Sequence, residues 1–281
     1  MDEALTQHPV HTYQHGFRTD RNTETAISGV VDYIEKNTYN GKQVLAVFLD
    51  IQAAFDTISP EIIKSKLLEH GGDEKMVNWY YEYITHRNIH AEVKGEKAFI
   101  TTGQGFPQGG VCSAKFWIVA FNEAINIINQ HGATGNGFAD DCVTAIGGNN
   151  LHTMMSRLQK VCDKLVSWGK TAGLTFNASK TEVIIFTKGR IKEKDMPNKL
   201  LMDDKRIDFG TECKYLGVTL DHRLSWTPHF SNIMKRAKQY LFTLRAAVSK
   251  AWGPKPRLIK WIFTIIVRTR YHMPVLYGHI H

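Results

Sequence analysis

Val44-Leu45-Ala46-Val47-Phe48-Leu49-Asp50 is the stretch on which the fold turns. Six apolar residues in a row, preceded by the turn pair Asn40-Gly41, read as a buried strand. Its last residue is a carboxylate. A second stretch, Phe138-Ala139-Asp140-Asp141-Cys142-Val143, repeats the design, with the acidic pair where a hairpin would turn. A carboxylate ending a buried strand is desolvated and stays ionised only beside hydrogen-bond donors or a cation. Two readings stand side by side. Aspartate is a common turn residue, and Asp203-Asp204, next to Lys205-Arg206 in a polar loop, is given no chemistry. Asp140-Asp141 differs in having apolar strands on both sides. With Asp50 it can hold hard divalent ions such as Mg²⁺, which take one or two carboxylates plus substrate phosphates. Two such ions about 4 Å apart would clamp the attacking and leaving oxygens of a phosphoryl transfer.

Between the two aspartate stretches lies Gly105-Phe106-Pro107-Gln108-Gly109-Gly110. Its glycines permit close backbone approach, and the helix after it can turn its N-terminus and Ser113 toward a template base or phosphate. A glycine turn before a helix says little alone; its position between the two acidic stretches says more.

Outward from these points, Asn22 caps a helix whose apolar positions are Ala26, Ile27, Val30, Val31 and Ile34. Ser59-Pro60 starts another, with Ile62, Ile63, Leu67 and Leu68 on its face. A helix from about Asp73, a hairpin around Lys94-Gly95, a helix bearing Phe116, Ala120 and Ile128, and a hairpin over 137–146 follow. A helix over about 151–172 and strands near 182–187 and 213–220 complete the body, and the Lys-rich 188–206 reads as an exposed, mobile loop. Beyond residue 222 only helices are expected. Thr227-Pro228 begins one with the stripe Phe230, Ile233, Met234, Ala237, Leu241, Leu244 and Val248. After Gly253-Pro254-Lys255-Pro256 comes a second, with Leu258, Ile259, Ile262, Phe263 and Ile266.

The 281 residues, 43% hydrophobic and 22% charged, suffice for about two domains with sizeable cores. The net charge of +8 is unevenly spread. Residues 223–281 hold 11 Lys and Arg and no acid, while 1–222 hold 24 basic and 27 acidic side chains. An acid-free basic segment on a near-neutral body points to a polyanionic partner. The four cysteines, Cys112, Cys142, Cys162 and Cys213, form no C-x-x-C pair, which argues against a disulfide scaffold or a four-thiolate zinc site. An intracellular setting, nucleus and/or cytoplasm, is expected. The N-terminus lacks a signal-peptide pattern, and the most apolar run, 261–267, is far shorter than a membrane span, so no membrane partner is expected. His8, His11 and His15 lack cysteine partners and read as a solvated N-terminus.

Six blocks now fall in a recognisable order: Gln14-His15-Gly16-Phe17-Arg18; Phe48-Leu49-Asp50-Ile51-Gln52-Ala53-Ala54-Phe55-Asp56; the 105–110 turn; Phe138-Ala139-Asp140-Asp141; Gly173-Leu174-Thr175-Phe176-Asn177 with Lys180-Thr181; and Tyr215-Leu216-Gly217. In this the chain resembles, over roughly 14 to 278, the reverse transcriptase domain of non-LTR retrotransposons, particularly jockey-like and LINE-type elements. The resemblance implies an α+β right-hand polymerase with an antiparallel palm sheet around a ferredoxin-like core. It implies truncated fingers at 1–43, palm at 44–58 and 103–222, a fingers/palm insertion at 59–102 and a partial helical thumb at 223–281.

The reaction it implies is attack of a primer 3′-hydroxyl on the α-phosphate of a dNTP, with RNA template and DNA primer as partners. Two Mg²⁺ ions (Mn²⁺ can substitute) would be held by Asp50, Asp140 and the Ile51 carbonyl, with Asp141 supporting. Lys180 would protonate the leaving pyrophosphate, although a turn lysine on the surface is an equal reading. Phe55 would pack beneath the sugar and exclude a 2′-hydroxyl, since a phenyl ring cannot accept its hydrogen bond. Gln108 and Gly109 would meet the nascent base pair, and Arg18 and Arg21 would stand in for upstream triphosphate-binding residues. Tyr215, Leu216 and Gly217 would grip the primer end; Trp226 could pack there or belong to a core. Lys235, Lys238, Arg245, Lys255 and Arg257 would contact duplex phosphates. Departures from the pattern are Cys112-Ser113-Ala114 where the family usually has Leu-Ser-Pro, and the missing upstream finger, endonuclease and downstream segments. They suggest a piece of a longer polyprotein. Two rivals remain: an inactive nucleic-acid-binding remnant and an RNA-synthesising palm polymerase.

Overall fold

The computed structural model describes residues 8–107, 109–191, 195–246, 255–262 and 264. Helix α1 (Thr23–Tyr39) starts at Asn22 in a reciprocal capping box with Thr25, and its expected apolar positions are all buried. Strand β1 (Gln43–Leu49) follows, buried at every position after the first. A two-residue strand, β2 (Ile51–Gln52), leads to a single helical turn, α2 (Ala54–Thr57). Helix α3 (Pro60–Glu69) is capped by the Ser59 hydroxyl, and α4 (Glu74–Thr85) by the Asp73 carboxylate. On α3 the inward residues are Ile63 and Leu67, whereas Leu68 is exposed. The hairpin β3 (Arg87–Val93) and β4 (Glu96–Thr102) turns at Lys94-Gly95, both with positive φ, which suits the twist of a two-residue hairpin loop.

Helix α5 (Ser113–Gln130) is the most buried helix of the body and delivers the chain to the hairpin β5 (Thr134–Phe138) and β6 (Asp141–Gly148). Helix α6 (Leu151–Ala172) is capped by Asn150 and ends at Gly173 in the left-handed region. Strands β7 (Thr175–Phe176) and β8 (Glu182–Phe186) follow. Then come β9 (Leu200–Met202), β10 (Lys205–Ile207) and β11 (Phe209–Gly210). The central sheet has the order β11-β8-β1-β6-β5, antiparallel except for the β11–β8 pair. Its four main strands and two connecting helical segments follow the split β-α-β plan. Leu45, Val47 and Leu49 pack into the main core with α5 and α6. The alternate set, Val44, Ala46 and Phe48, lies on the opposite face with α1. That two-sided cover explains the unbroken apolar run of β1.

Two expectations change here. Part of 188–206 is a packed hairpin: Leu200, Met202 and Ile207 are buried, the Gln159 side chain bonds both backbone polar groups of Leu201, and Lys170 meets Asp203 at 2.8 Å. Asp203 and Asp204 are its turn, each with positive φ. The N-terminal histidines are not all solvated either. His15 is 2% exposed, with Nδ1 2.9 Å from the Thr25 hydroxyl, and burial next to Arg21 and Arg18 pushes its pKa down to about 4.

The compact units divide after Gly210. The second holds the hairpin β12 (Glu212–Tyr215) and β13 (Val218–Asp221), helix α7 (Thr227–Ala246) and helix α8 (Pro256–Ile262). Charge and periodicity put the boundary at 222/223; the hairpin joins α7 instead because His229 Nδ1 accepts the Thr219 N–H at 3.1 Å and α7 packs on β13. The same contact sets which side of α7 faces inward. His229 and Ala237 are buried, while Phe230 and Met234, expected in the buried stripe, are exposed. Leu258 on α8 is exposed as well.

Candidate active site

The aspartates meet at one end of the central sheet. Leu49 pairs with Cys142 at the end of the β1–β6 ladder, so the register carries Asp50 opposite Asp141. Asp140 sits beside them in the two-residue turn closed by the Phe138–Asp141 pair. Desolvation, then the charges of Asp140 and Asp50, hold the Asp141 carboxyl up at about 6. Ala139 enters that turn with φ +55, and its carbonyl accepts the indole N–H of Trp117 on α5 at 2.8 Å.

Asp50 is fixed through its own backbone. Its carbonyl accepts from Asn177 N at 2.8 Å, and its N–H approaches the buried Thr181 hydroxyl at 3.4 Å; that hydroxyl donates to Asn177 O at 2.9 Å. Ile51 pairs with Phe176 in the short β2–β7 ladder. Lys180 lies exposed on the same 177–181 turn, its N–H on Asn177 O. The turn that bears Lys180 is thus strapped to Asp50 from both sides.

Phe55 is half-buried and stacks on Trp117 with centroids 5.0 Å apart and planes at 30°. Phe17 and Phe106 meet it edge-on at 6.3 and 6.4 Å. One indole therefore supports Phe55 with its face and the aspartate turn with its N–H. The glycine turn docks on the same segment: Phe106 N donates to Phe55 O at 2.6 Å and Gly105 N to Ile58 O at 3.0 Å. A Cβ on Gly105 would stand 2.5 Å from the Phe55 and Asp56 carbonyls, so close approach is what that glycine serves. Gly109 has φ +82 with open space around it, and Gln108 lies outside the described residues. Ser113 is corrected: it is buried, and its hydroxyl donates to Pro107 O at 2.9 Å rather than facing a ligand.

The 14–18 block lies against this site. Gln14 bridges Gly137, His15 N donates to Gly137 O at 2.7 Å, and Gly137 N donates to Tyr13 O at 2.9 Å. A Cβ on Gly16 would lie 2.3 Å from Ala139 N. Arg18 Nη1 donates to His11 O and Gln14 O at 2.9 and 3.0 Å, so that guanidinium holds the segment's bend; Arg21 is exposed. Trp117, Thr181 and Asn177 are the supporting residues that motif reading missed. Trp117 stands one helical turn after Ser113, and Thr181 and Asn177 flank Lys180 within a quoted block, so position alone could have flagged them.

In the second unit, Leu216-Gly217 forms the β12–β13 turn, with φ +47 and +86, and Tyr215 is buried. Asp221 accepts from Arg223 N and Trp226 N at 3.2 and 3.0 Å, capping the entry to α7. Lys235, Lys238, Lys255 and Arg257 are exposed, while the side chain of Arg245 lies outside the described residues. Among the described residues, no group of three or more His, Cys, Asp and Glu side chains stands in metal-ligand geometry. The donor set fits a hard ion held by two carboxylates and completed by substrate phosphates. A cation there would relieve the repulsion that lifts Asp141.

A mixed helix-and-sheet body with aspartates gathered at one end of an antiparallel sheet fits a polymerase fold. The model of the family described as "Reverse transcriptase (RNA-dependent DNA polymerase)" matches residues 1–220, and the chain belongs to that family. Among curated proteins it is similar to the Retrovirus-related Pol polyprotein from type-1 retrotransposable element R1 of Bradysia coprophila, 26% identical over 256 residues, 90% of this chain and 25% of that protein. It is likewise similar to the RNA-directed DNA polymerase from mobile element jockey of Drosophila melanogaster, 26% identical over 231 residues, 79% of this chain and 24% of that protein. These relatives place it with the non-LTR, LINE-type reverse transcriptase domains. The chain spans about a quarter of their length. Among solved structures, apo telomerase from Candida tropicalis truncated from its C-terminal domain has the same fold, with TM-score 0.55 at 12% identity over 78% of this chain and 41% of that one. Telomerase from the same organism in complex with a fragment of telomeric RNA gives 0.53 at 12% identity, over 86% and 40%.

Proposed function

We propose that this chain catalyses RNA-directed DNA synthesis, with the first unit as palm and fingers and the basic second unit contributing the thumb. The convergence of Asp50, Asp140 and Asp141 at one end of the sheet carries this reading. Two Mg²⁺ ions, bound by Asp50, Asp140 and the Ile51 carbonyl with Asp141 in support, would supply charge neutralisation at the α-phosphate and the leaving pyrophosphate. The rest falls to the chain's own residues. Phe55, supported by Trp117, sits under the incoming sugar and leaves no acceptor for a 2′-hydroxyl. Lys180 gives its proton to the departing pyrophosphate. Gln108 and Gly109 border the nascent base pair, and Arg21, with Arg18 as its anchor, meets the triphosphate. The Tyr215-Leu216-Gly217 turn holds the primer terminus, and the exposed cations of α7 and α8, together with Arg245, hold duplex phosphates. Other segments of a longer polyprotein, an endonuclease among them, would act beside it.

The test is incorporation of dTTP on poly(rA)/oligo(dT) with Mg²⁺ or Mn²⁺. Synthesis is expected from the wild type and none from Asp140→Ala. A wild type that binds the substrate and incorporates nothing with either metal would be the inactive remnant. A wild type that uses rNTPs as readily as dNTPs would be an RNA-synthesising polymerase. Phe55→Ala should admit rNTPs; continued exclusion by that variant would remove Phe55 as the sugar gate.

A further inference from the structure

The opposite end of the central sheet carries a second polar site. Antiparallel pairing puts the start of β1 (Gln43), the residue after β6 (Asn149) and the residue after β8 (Thr187) at one end. The seven residues of β1 separate that end from Asp50 by about 23 Å at the usual strand rise. A cavity of about 290 Å³ opens there, and Lys42, Lys188 and Arg190 line it with no acidic side chain among its described lining residues. The backbone beside it is held in place. Gly147 N donates to the Tyr33 hydroxyl at 3.0 Å, Lys42 N to Asn37 O at 3.0 Å, and Gly189 N to the buried Thr187 hydroxyl at 3.1 Å, which shapes the turn bearing Lys188 and Arg190. At its rim Tyr39 is 83% exposed, with the Lys188 ammonium 6.0 Å from its ring centroid. Three cations around a concavity are an anion site; an unburied aromatic face beside them is a stacking platform. Together these are the two elements with which proteins hold single strands, phosphates in a basic groove and bases on aromatic rings.

We propose that this end of the sheet binds single-stranded nucleic acid outside the polymerase centre, with phosphates among Lys42, Lys188 and Arg190 and a base stacked on Tyr39. Inorganic phosphate shares the first half of that chemistry and not the second.

The test is fluorescence anisotropy of a labelled 12-nucleotide single strand with the full chain, in EDTA and without dNTP, so that the aspartates and synthesis play no part. Tyr39→Ala should weaken binding about five-fold or more, and Tyr39→Phe should restore it. Lys188→Gln with Arg190→Gln should reduce the slope of log K against log salt by about 1.4. An oligonucleotide carrying 5-iodouracil should crosslink to Tyr39 on irradiation. Unchanged affinity and slope in these variants, with crosslinks elsewhere, would overturn the proposal. If millimolar phosphate titrates the cavity while Tyr39→Ala binds the oligonucleotide like wild type, the site is one for small anions and the proposal fails.

Discussion

His15 shows how much one side chain can depend on its surroundings. Its ring is enclosed between the edge of the sheet and α1, and two arginines discourage a second proton, so the folded chain holds it neutral down to about pH 4. In the unfolded chain the same imidazole titrates near 6.5. A depressed folded pKa means that the unfolded state binds the extra proton first. The contribution to stability is therefore complete above pH 6.5 and is lost as pH falls from there toward 4. Urea unfolding at pH 7.5 and pH 4.5 should show a larger drop in midpoint for the wild type than for His15→Gln, and equal drops would refute this. Nothing in the spacing of His8, His11 and His15 distinguishes the buried ring from the others, because the enclosing partner, β5, is more than a hundred residues away.

Among elements, glycines separate two kinds of constraint. Gly16 faces the backbone of Ala139 across a gap that a methyl cannot enter, so Gly16→Ala must displace the aspartate turn. A loss of roughly 1–3 kcal/mol and a fall in dNTP incorporation are expected together. Gly217 has open space but φ +86, so the stability cost of Gly217→Ala should be the left-handed backbone strain, about 1–2 kcal/mol. Thermal unfolding of the two variants checks both costs. The elements themselves were legible wherever the period was strong and the cap chemical: α6 begins and ends at the expected residues, and the apolar run of β1 is a strand. Legibility failed on α7, where a hydrogen bond from Thr219 to His229 turns the helix so that Phe230 and Met234 face outward. Periodicity counts apolar residues, and it does not see which polar one a hairpin will claim. The hairpin at 200–207 was hidden for a related reason, since its three inward residues are spaced among lysines and aspartates.

Across the whole molecule, the acidic side chains and the excess of basic ones fall in different parts of the chain. The body holds all 27 acidic side chains, and residues 223–281 hold 11 cations with no acid between them. Backbone binding by such a segment should be insensitive to sequence and sensitive to salt. Lys235→Gln with Lys238→Gln is expected to lower the salt slope of template–primer binding by about 1.8, while leaving preference among sequences unchanged; an unaltered slope would place the duplex elsewhere. The aspartates were readable because strand-ending carboxylates are rare and chemically costly. The positions of their supports, Trp117 and Thr181, were visible but their roles were not, because each acts through a backbone atom of a residue distant in sequence.

The short bridge of residues 13–15 onto β5 has a further consequence. β5 is the outermost strand of the sheet, and this bridge occupies the edge that Gly137 would otherwise present. A chain shortened to begin at Asn22 would keep all three aspartates and both capping partners of α1, yet bare the N–H and C=O of Gly137 on that edge strand. Such an edge recruits strands from other copies. The shortened chain should therefore fail first by self-association, visible as concentration-dependent light scattering, before any loss of the reacting groups themselves.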